Sequence, residues 1–315
     1  MGIKSFIRKL LPRPLLQTYH FIMSWAVALF YGLPARRLVV IGVTGTKGKS
    51  TVSNMIWYVL QKMGYTTGLI STAQMAIGNN VWPNDLKMTM PGRLKLQQLL
   101  RQMVKQGCQY LVMETSSEGL AQFRQAGLPY SVGVFTNLTP EHIEAHGSFD
   151  NYRSAKGKLF AYLSKVKTAV KSPLGLVKPT SIVNLDDEAA DYFLSFQVAQ
   201  RYGYSFNNIM SSLTTSNQIA DLKEIGLDKL KINVNSADYE FLVGGRFNAY
   251  NILAAALATQ ALNIPLAKAL EILTLYKGTP GRLEFINAGQ SFKIVVDYAH
   301  TVESLEQIYK LLSKF

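Results

Sequence analysis

Residues Leu38 to Thr51 read LVVIGVTGTKGKST: an apolar, β-branched run, a glycine-rich turn, then Lys-Ser-Thr. No other stretch restricts the possible folds as strongly. The run from Leu38 to Val43 has the length and composition of a strand buried on both faces, as in a parallel sheet. Gly45 and Gly48 let the backbone turn tightly and bring its N–H groups against phosphate oxygens, and the helix that follows adds its partial positive charge. Gly45, Thr46, Lys47, Gly48, Lys49, Ser50 and Thr51 are therefore the expected phosphate cradle. Lys49 would reach the β/γ-phosphates of ATP, and the Ser50 hydroxyl would sit on Mg²⁺. The strict spacing G-x-x-x-x-G-K-[ST] is not met, because Val43 stands where its first glycine belongs. The plainer alternative is a glycine turn joining a strand to a helix.

With 315 residues the chain has room for one large domain or two ordinary ones. Its 48% hydrophobic and 17% charged content is that of a folded chain. A single cysteine, Cys108, excludes an internal disulfide and a cysteine-rich zinc site, which suits a reducing compartment; it reads as a small buried apolar residue. The net charge of +13 is uneven: no Asp or Glu precedes Asp85, while Lys4, Arg8, Lys9, Arg13, Arg36, Arg37, Lys47, Lys49 and Lys62 do. Such asymmetry suits a polyanionic ligand or an anionic membrane. No nucleic-acid motif is present, so nucleic acid is not an expected partner.

Residues 1–37 combine those first bases with the apolar stretch LLQTYHFIMSWAVALFYGL from Leu15 to Leu33. A transmembrane helix would need about 20 mainly apolar residues, and Gln17, Thr18 and His20 interrupt this one early. A signal peptide would carry an ATP-binding fold to where ATP is scarce. A helix lying on the inner membrane face, held by its bases and by Trp25, Phe30 and Tyr31, and a helix packed on the protein's own surface both remain open. Beyond the loop, apolar positions recur at helical spacing from Lys49 to Met63 until Gly64, and Thr67 to Ser71 reads as the next strand. This βαβ unit predicts an α/β fold with a mostly parallel, doubly wound sheet. Tyr110 to Thr115 is a further buried strand that ends in Glu114, and a carboxylate so placed points into the crevice where such sheets bind ligands and hold Mg²⁺.

Several motifs in order resemble those of the Mur ligase family, the ATP-dependent amide-forming enzymes of peptidoglycan precursor synthesis, and in detail its MurE-type branch. They are T-G-T-K-G-K-S, the segment E-T-S-S-E-G-L-A-Q-F-R from Glu114, and N-L-T-P-E-H-I-E-A-H-G from Asn137 with Y-R-S-A-K-G-K-L-F from Tyr152. N-A-Y-N-I-L-A-A follows at Asn248, then P-G-R-L-E at Pro280 and D-Y-A-H-T at Asp297. The resemblance spans Leu38 to Leu312. It implies a P-loop central ATPase domain over 38–284 and, over 285–315, the start of a Rossmann-like C-terminal domain, with 1–37 as a separate basic segment. It implies that Glu114 and His142 hold a second Mg²⁺, and that Lys156 is carbamylated and joins them. Asn251 would lie against adenine, with Arg282 and Asp297 also on the nucleotide side. Thr89, Met90, Ser116, Gln122 and Arg124 would contact the UDP-MurNAc-peptide. Met90 and Glu118 depart from the family pattern, which has threonine and histidine there, and Glu141 replaces an aspartate.

The implied reaction is ATP-dependent activation of a substrate carboxylate as an acyl phosphate, which an amino-acid amine then attacks, in the cytoplasm or at the inner membrane face. The residues that choose the amino acid are not in this sequence, so either it is a fragment or a partner chain supplies the missing lobe. An alternative class is an ATP-binding, membrane-apposed subunit that needs a partner, as in amidation of a lipid-linked precursor; the four-cysteine zinc ribbon of that relative is absent. Folylpolyglutamate synthesis is a further alternative, disfavoured by the S-S-E-G-L-A-Q-F-R and D-Y-A-H matches.

Overall fold

The computed structural model describes residues 13–86, 88–141 and 146–313. Helix α1 (Arg13–Phe30), a 3₁₀ turn (Pro34–Arg37) and strand β1 (Val39–Thr44) lead through the glycine loop into α2 (Lys49–Lys62). Strands β2 (Thr67–Ile70), β3 (Gln74–Ile77) and β4 (Asn80–Pro83) follow, then α3 (Arg93–Lys105), β5 (Tyr110–Glu114), the short α4 (Ser117–Ala121), β6 (Tyr130–Phe135) and α5 (Phe149–Leu163). A hairpin of β7 (Val170–Ser172) and β8 (Gly175–Val177) precedes β9 (Thr180–Asn184), α6 (Ala190–Leu194) and β10 (Gln200–Ser205). After β11 (Ser216–Ile225), β12 (Leu230–Val234) and β13 (Ala237–Phe241) come α7 (Arg246–Gln260), α8 (Leu266–Leu273), β14 (Glu284–Ile286), β15 (Ile294–Val296) and α9 (Val302–Leu312).

Eleven strands form one sheet in the order β13-β12-β11-β10-β9-β6-β1-β5-β2-β3-β4. From β2 to β11 the neighbours run parallel, and antiparallel hairpins close both edges. The odd residues of β1 (Val39, Ile41, Val43) face a core built with α2, α7 and α8, while Leu38 and Val40 face a second core built with α3, α5 and α6. Burial on both faces is what the unbroken apolar run of β1 requires, and it makes the sheet doubly wound. The alanines of α7, among them Ala254, Ala255 and Ala258, are fully buried and let that helix lie close to its neighbours.

The central strand β1 lies between β5 and β6, so the chain crosses from one side of it to the other. Val43 pairs with Glu114 and Thr44 with Phe135, so the C-terminal ends of the three strands finish level. In an open parallel sheet this is the position of the ligand crevice.

Of the readings left open for residues 1–37, packing on the protein's own surface is met, since α1 packs along α3; no helix among the described residues is long and apolar enough to cross a membrane. One expectation needs correction. Residues 285–315, expected to start a Rossmann-like unit, instead open with a strand of three residues, Ile294–Val296, that pairs antiparallel with Glu284–Ile286. The loop between them, residues 287–293, contains Gly289 at φ +86°, a backbone that glycine adopts without strain. The domain boundary expected between 284 and 285 therefore falls inside β14. A small core of Leu227, Leu283 and Leu311 lies beneath this hairpin and α9.

Candidate functional site

The loop after β1 is shaped by the strand beside it. Thr46 N–H donates to the Asn137 carbonyl (2.8 Å), and Lys47 N–H donates to Asn137 Oδ1 (2.8 Å). The Lys47 carbonyl accepts from Thr136 Oγ1 (2.6 Å) and Asn137 Nδ2 (3.2 Å). Both Thr136 and Asn137 follow the end of β6, so the parallel register brings them here. Gly48 caps α2 at φ +81°, with the buried Asn251 side chain beside it. Lys49 Nζ donates to the Thr46 carbonyl (2.8 Å). Burial lowers the pKa of Lys49, while the Glu114 carboxylate works in the opposite direction. Thr51 is buried in the first turn of α2.

Glu114, 2% exposed, ends β5 and turns its carboxylate onto α2. Its Oε2 accepts from Ser50 Oγ (2.9 Å) and from the Thr72 N–H (2.7 Å). Arg282 donates to the same Ser50 Oγ at 3.3 Å, and its guanidinium lies 4.5 Å from the Tyr298 ring centre. A hydroxyl and a carboxylate paired this way are oxygen donors of the kind Mg²⁺ prefers. Among the described residues no three His, Cys, Asp or Glu side chains gather into a metal cluster. His142 lies outside the described residues.

Lys156, on α5, is 2% exposed and donates from Nζ to the Gly45 carbonyl (2.6 Å), with the ammonium 4.3 Å from the Tyr152 ring centre. Burial holds its pKa well below that of an ordinary lysine, and the charge of Lys49 adds to the effect. Tyr152 shares a hydrogen bond with Thr46 Oγ1 (3.2 Å), and burial pushes its phenol up to about 12, so it remains neutral. His146 Nε2 lies 3.0 Å from Ser117 Oγ, and the ring rests against Tyr152.

The other positions expected on the nucleotide side lie on α7 and at the last hairpin. Asn251 donates to Asn248 Oδ1 (3.0 Å). The Asp297 carboxylate accepts from the N–H groups of Leu283 and Ala299, both at 2.7 Å, and so holds the hairpin beside Arg282. Lys47 pairs with Glu141 and donates to Thr301 Oγ1 (3.0 Å), the residue that caps α9.

The positions expected to contact substrate are held by hydrogen bonds of their own. Thr89 accepts from Thr72 Oγ1 (3.0 Å), and Ser116 caps α4 by accepting from Gly119 N–H (3.1 Å). Gln122 Oε1 accepts from Arg124, whose Nη1 donates to the Met90 carbonyl (2.5 Å). The Met90 side chain is fully buried over Gly119, so the hydroxyl of the family's threonine has no counterpart there. Glu118 is exposed in the first turn of α4. The structure also gives roles to Asn184, Asp186 and Asp187. Asn184 donates to the Thr136 carbonyl (2.9 Å), Asp186 accepts from Tyr250 (2.7 Å) and Asp187 from the Leu138 N–H (2.8 Å). They brace the ends of β6 and β9; burial raises the Asp187 pKa against the pull of its two backbone N–H donors.

Sequence reasoning missed Thr72, Thr136, Asn137, Tyr152 and Thr301 as parts of the site. Asn137, Tyr152 and Thr301 lie within motifs noted above, and that was the only available signal; Thr72 and Thr136 lie just beyond strand ends, where only the sheet register could point to them.

The family model described as the Mur ligase middle domain matches residues 43–259. The chain is 38% identical over 281 residues to the UDP-N-acetylmuramoyl-L-alanyl-D-glutamate–2,6-diaminopimelate ligase of Geobacillus kaustophilus, covering 89% of this chain and 55% of that protein. It is 35% identical over 293 residues to the UDP-N-acetylmuramyl-tripeptide synthetase of Roseiflexus, covering 90% of this chain and 56% of that one. Among solved structures, a UDP-N-acetylmuramoyl-L-alanyl-D-glutamate–2,6-diaminopimelate ligase superposes with a TM-score of 0.71 at 28% identity over 88% of this chain and 54% of that one. The apo form of L. casei FPGS shares the fold alone, with a TM-score of 0.67 at 16% identity over 92% of this chain and 75% of that one. The chain thus spans little more than half the length of the curated relatives it matches.

Proposed function

The chain belongs to the Mur ligase family, and from that premise we propose that it activates a carboxylate of a UDP-MurNAc-peptide with ATP and joins it to an amino acid. The substrate carboxylate oxygen attacks the γ-phosphorus and ADP leaves. The amine nitrogen then attacks the acyl carbon, loses a proton, and expels phosphate as the amide forms. The observation that carries this reading is the convergence on one loop of Lys49, the Ser50–Glu114 pair and the buried Lys156.

Most catalysis of phosphoryl transfer is positioning and charge neutralisation. The N–H groups at the α2 N-terminus would face the phosphates, and half-buried Lys49 would supply positive charge there. Ser50, Glu114, His142 and carbamylated Lys156 are the proposed ligands of Mg²⁺. When bound, Mg²⁺ would neutralise developing charge on the phosphoryl oxygens. A lysine whose ammonium is disfavoured is the form that adds CO₂, and the product is a long-armed carboxylate where an ammonium would repel the metal. Asn251, Arg282 and Asp297 are assigned to the nucleotide side. Ser116, Gln122, Arg124 and Thr89, with the backbone of Met90, are assigned to the peptide acceptor. Diaminopimelate, named for the relatives, is the first amine to test. The reaction belongs where ATP is, in the cytoplasm, and residues 1–37 would touch the inner face of the membrane.

The test is phosphate release with Mg²⁺, ATP and UDP-MurNAc-dipeptide, with bicarbonate present, beside Lys49→Ala and Lys156→Ala. Turnover stimulated by the dipeptide and reduced about 100-fold or more in both variants is the expected result. ATP binding with no stimulated turnover in the unsubstituted chain would sink the proposal that these residues catalyse the first step by themselves.

A further inference from the structure

Helix α1 presents the opposite pattern from a helix on a water-facing surface. The stripe it turns inward, His20, Ser24 and Ala28, is small or polar, at 8%, 2% and 0% exposure. Ser24 Oγ donates to the Gln122 carbonyl (3.4 Å), His20 Nδ1 lies 2.6 Å from the Arg93 guanidinium, and Ala28 packs on Gly127. Its large side chains point the other way: Leu15, Tyr19, Ile22, Trp25, Leu29 and Phe30 are all exposed, Leu29 at 60% and Phe30 at 82%. Scattered exposed apolar residues are ordinary, but a run of them along one helix marks an interaction surface.

The charges around this face select its partner. Neither α1, the 3₁₀ turn nor α3 contains an Asp or Glu, whereas Arg36, Arg37, Lys95, Arg101 and Lys105 are all exposed. A second copy docking through the same patch would bring two basic, acid-free surfaces together, because a two-fold contact pairs a patch with itself. An anionic lipid layer complements both features: acyl chains for the apolar row and headgroups for the bases.

We propose that the outer face of α1 docks on an anionic lipid surface, with the helix lying in the headgroup layer and the flanking bases on the headgroups. The inner side of α1 touches the acceptor segment directly, through Ser24 on Gln122 and through Phe21, whose ring meets that of Phe123 edge-on at 5.4 Å. Docking therefore places Gln122 and Arg124 beside the bilayer; only the role given to those two residues rests on the ligase reading.

The test is co-sedimentation of the full chain with phosphatidylcholine vesicles, with and without phosphatidylglycerol, at low and high salt. Binding to the anionic vesicles that weakens with salt and falls about ten-fold or more in the Ile22→Asp/Leu29→Asp double variant is the expected result. Both positions are exposed, so the thermal midpoint should hold. Quenching of Trp25 by brominated lipid, lost in Trp25→Phe, provides a readout in the otherwise unsubstituted chain. Equal binding to neutral vesicles, no binding to either, or a concentration-dependent dimer that the double variant abolishes without any lipid binding would each overturn the proposal. If vesicle binding persists in a chain that shows no turnover, docking stands and the ligase reading falls separately.

Discussion

At Gly48 the backbone stands at φ +81°, and a Cβ there would run into Asn251 Oδ1. Gly48→Ala should cost about 1–2 kcal/mol from the left-handed backbone alone, seen as a lower urea midpoint, and it should weaken ATP binding because Asn251 must move. An unchanged midpoint and affinity would show that the loop adopts another backbone in solution. Some of this was legible in the linear sequence. Gly45, Gly48, Lys49 and Ser50 are neighbours in the chain, so their joint role needs no tertiary information. Thr72 and Tyr152 could not be assigned in that way. One offers a backbone N–H to Glu114 and the other shares a hydrogen bond with Thr46, and both contacts depend on how distant parts of the chain come together around the sheet.

Among elements, α7 has the narrowest tolerance. Its alanines are fully buried in the core shared with α2 and α8, and Asn248 and Asn251 sit at its start, against the phosphate loop. Ala255→Leu would overpack that core and should destabilise the fold by about 1–3 kcal/mol, measured by urea unfolding, with ATP affinity falling as the helix is pushed from α2. Unaltered stability would mean that the core has slack which the full burial of Ala255 does not suggest. The elements best anticipated were those whose periodicity runs unbroken, β1, α2 and β5, and their ends fell within a residue or two. The β14–β15 pair was not anticipated. A three-residue strand leaves too little alternation to declare its partner or direction, and its pairing depends on the loop through Gly289.

Two large cores flank the sheet, while β14, β15 and α9 rest on a cluster in which, among the described residues, Leu227, Leu283 and Leu311 are buried. Local opening follows low burial. Amides of β1, β5 and β6 should therefore exchange only through global unfolding, and those of β14, β15 and α9 should exchange well before them. Equal protection in hydrogen exchange would show that Lys47, through Thr301, and Arg282, through Ser50, bind the hairpin to the main body as firmly as a core does. The position of β1 between β5 and β6 also has a consequence for synthesis on the ribosome. A nascent chain that has emerged only as far as Asn84 already contains the whole glycine loop, yet it has neither the flanking strands, nor Glu114, nor the Thr136 and Asn137 that shape the loop. The loop thus takes its shape only after residue 137 has left the tunnel, once the strands made after β1 have closed on either side of it.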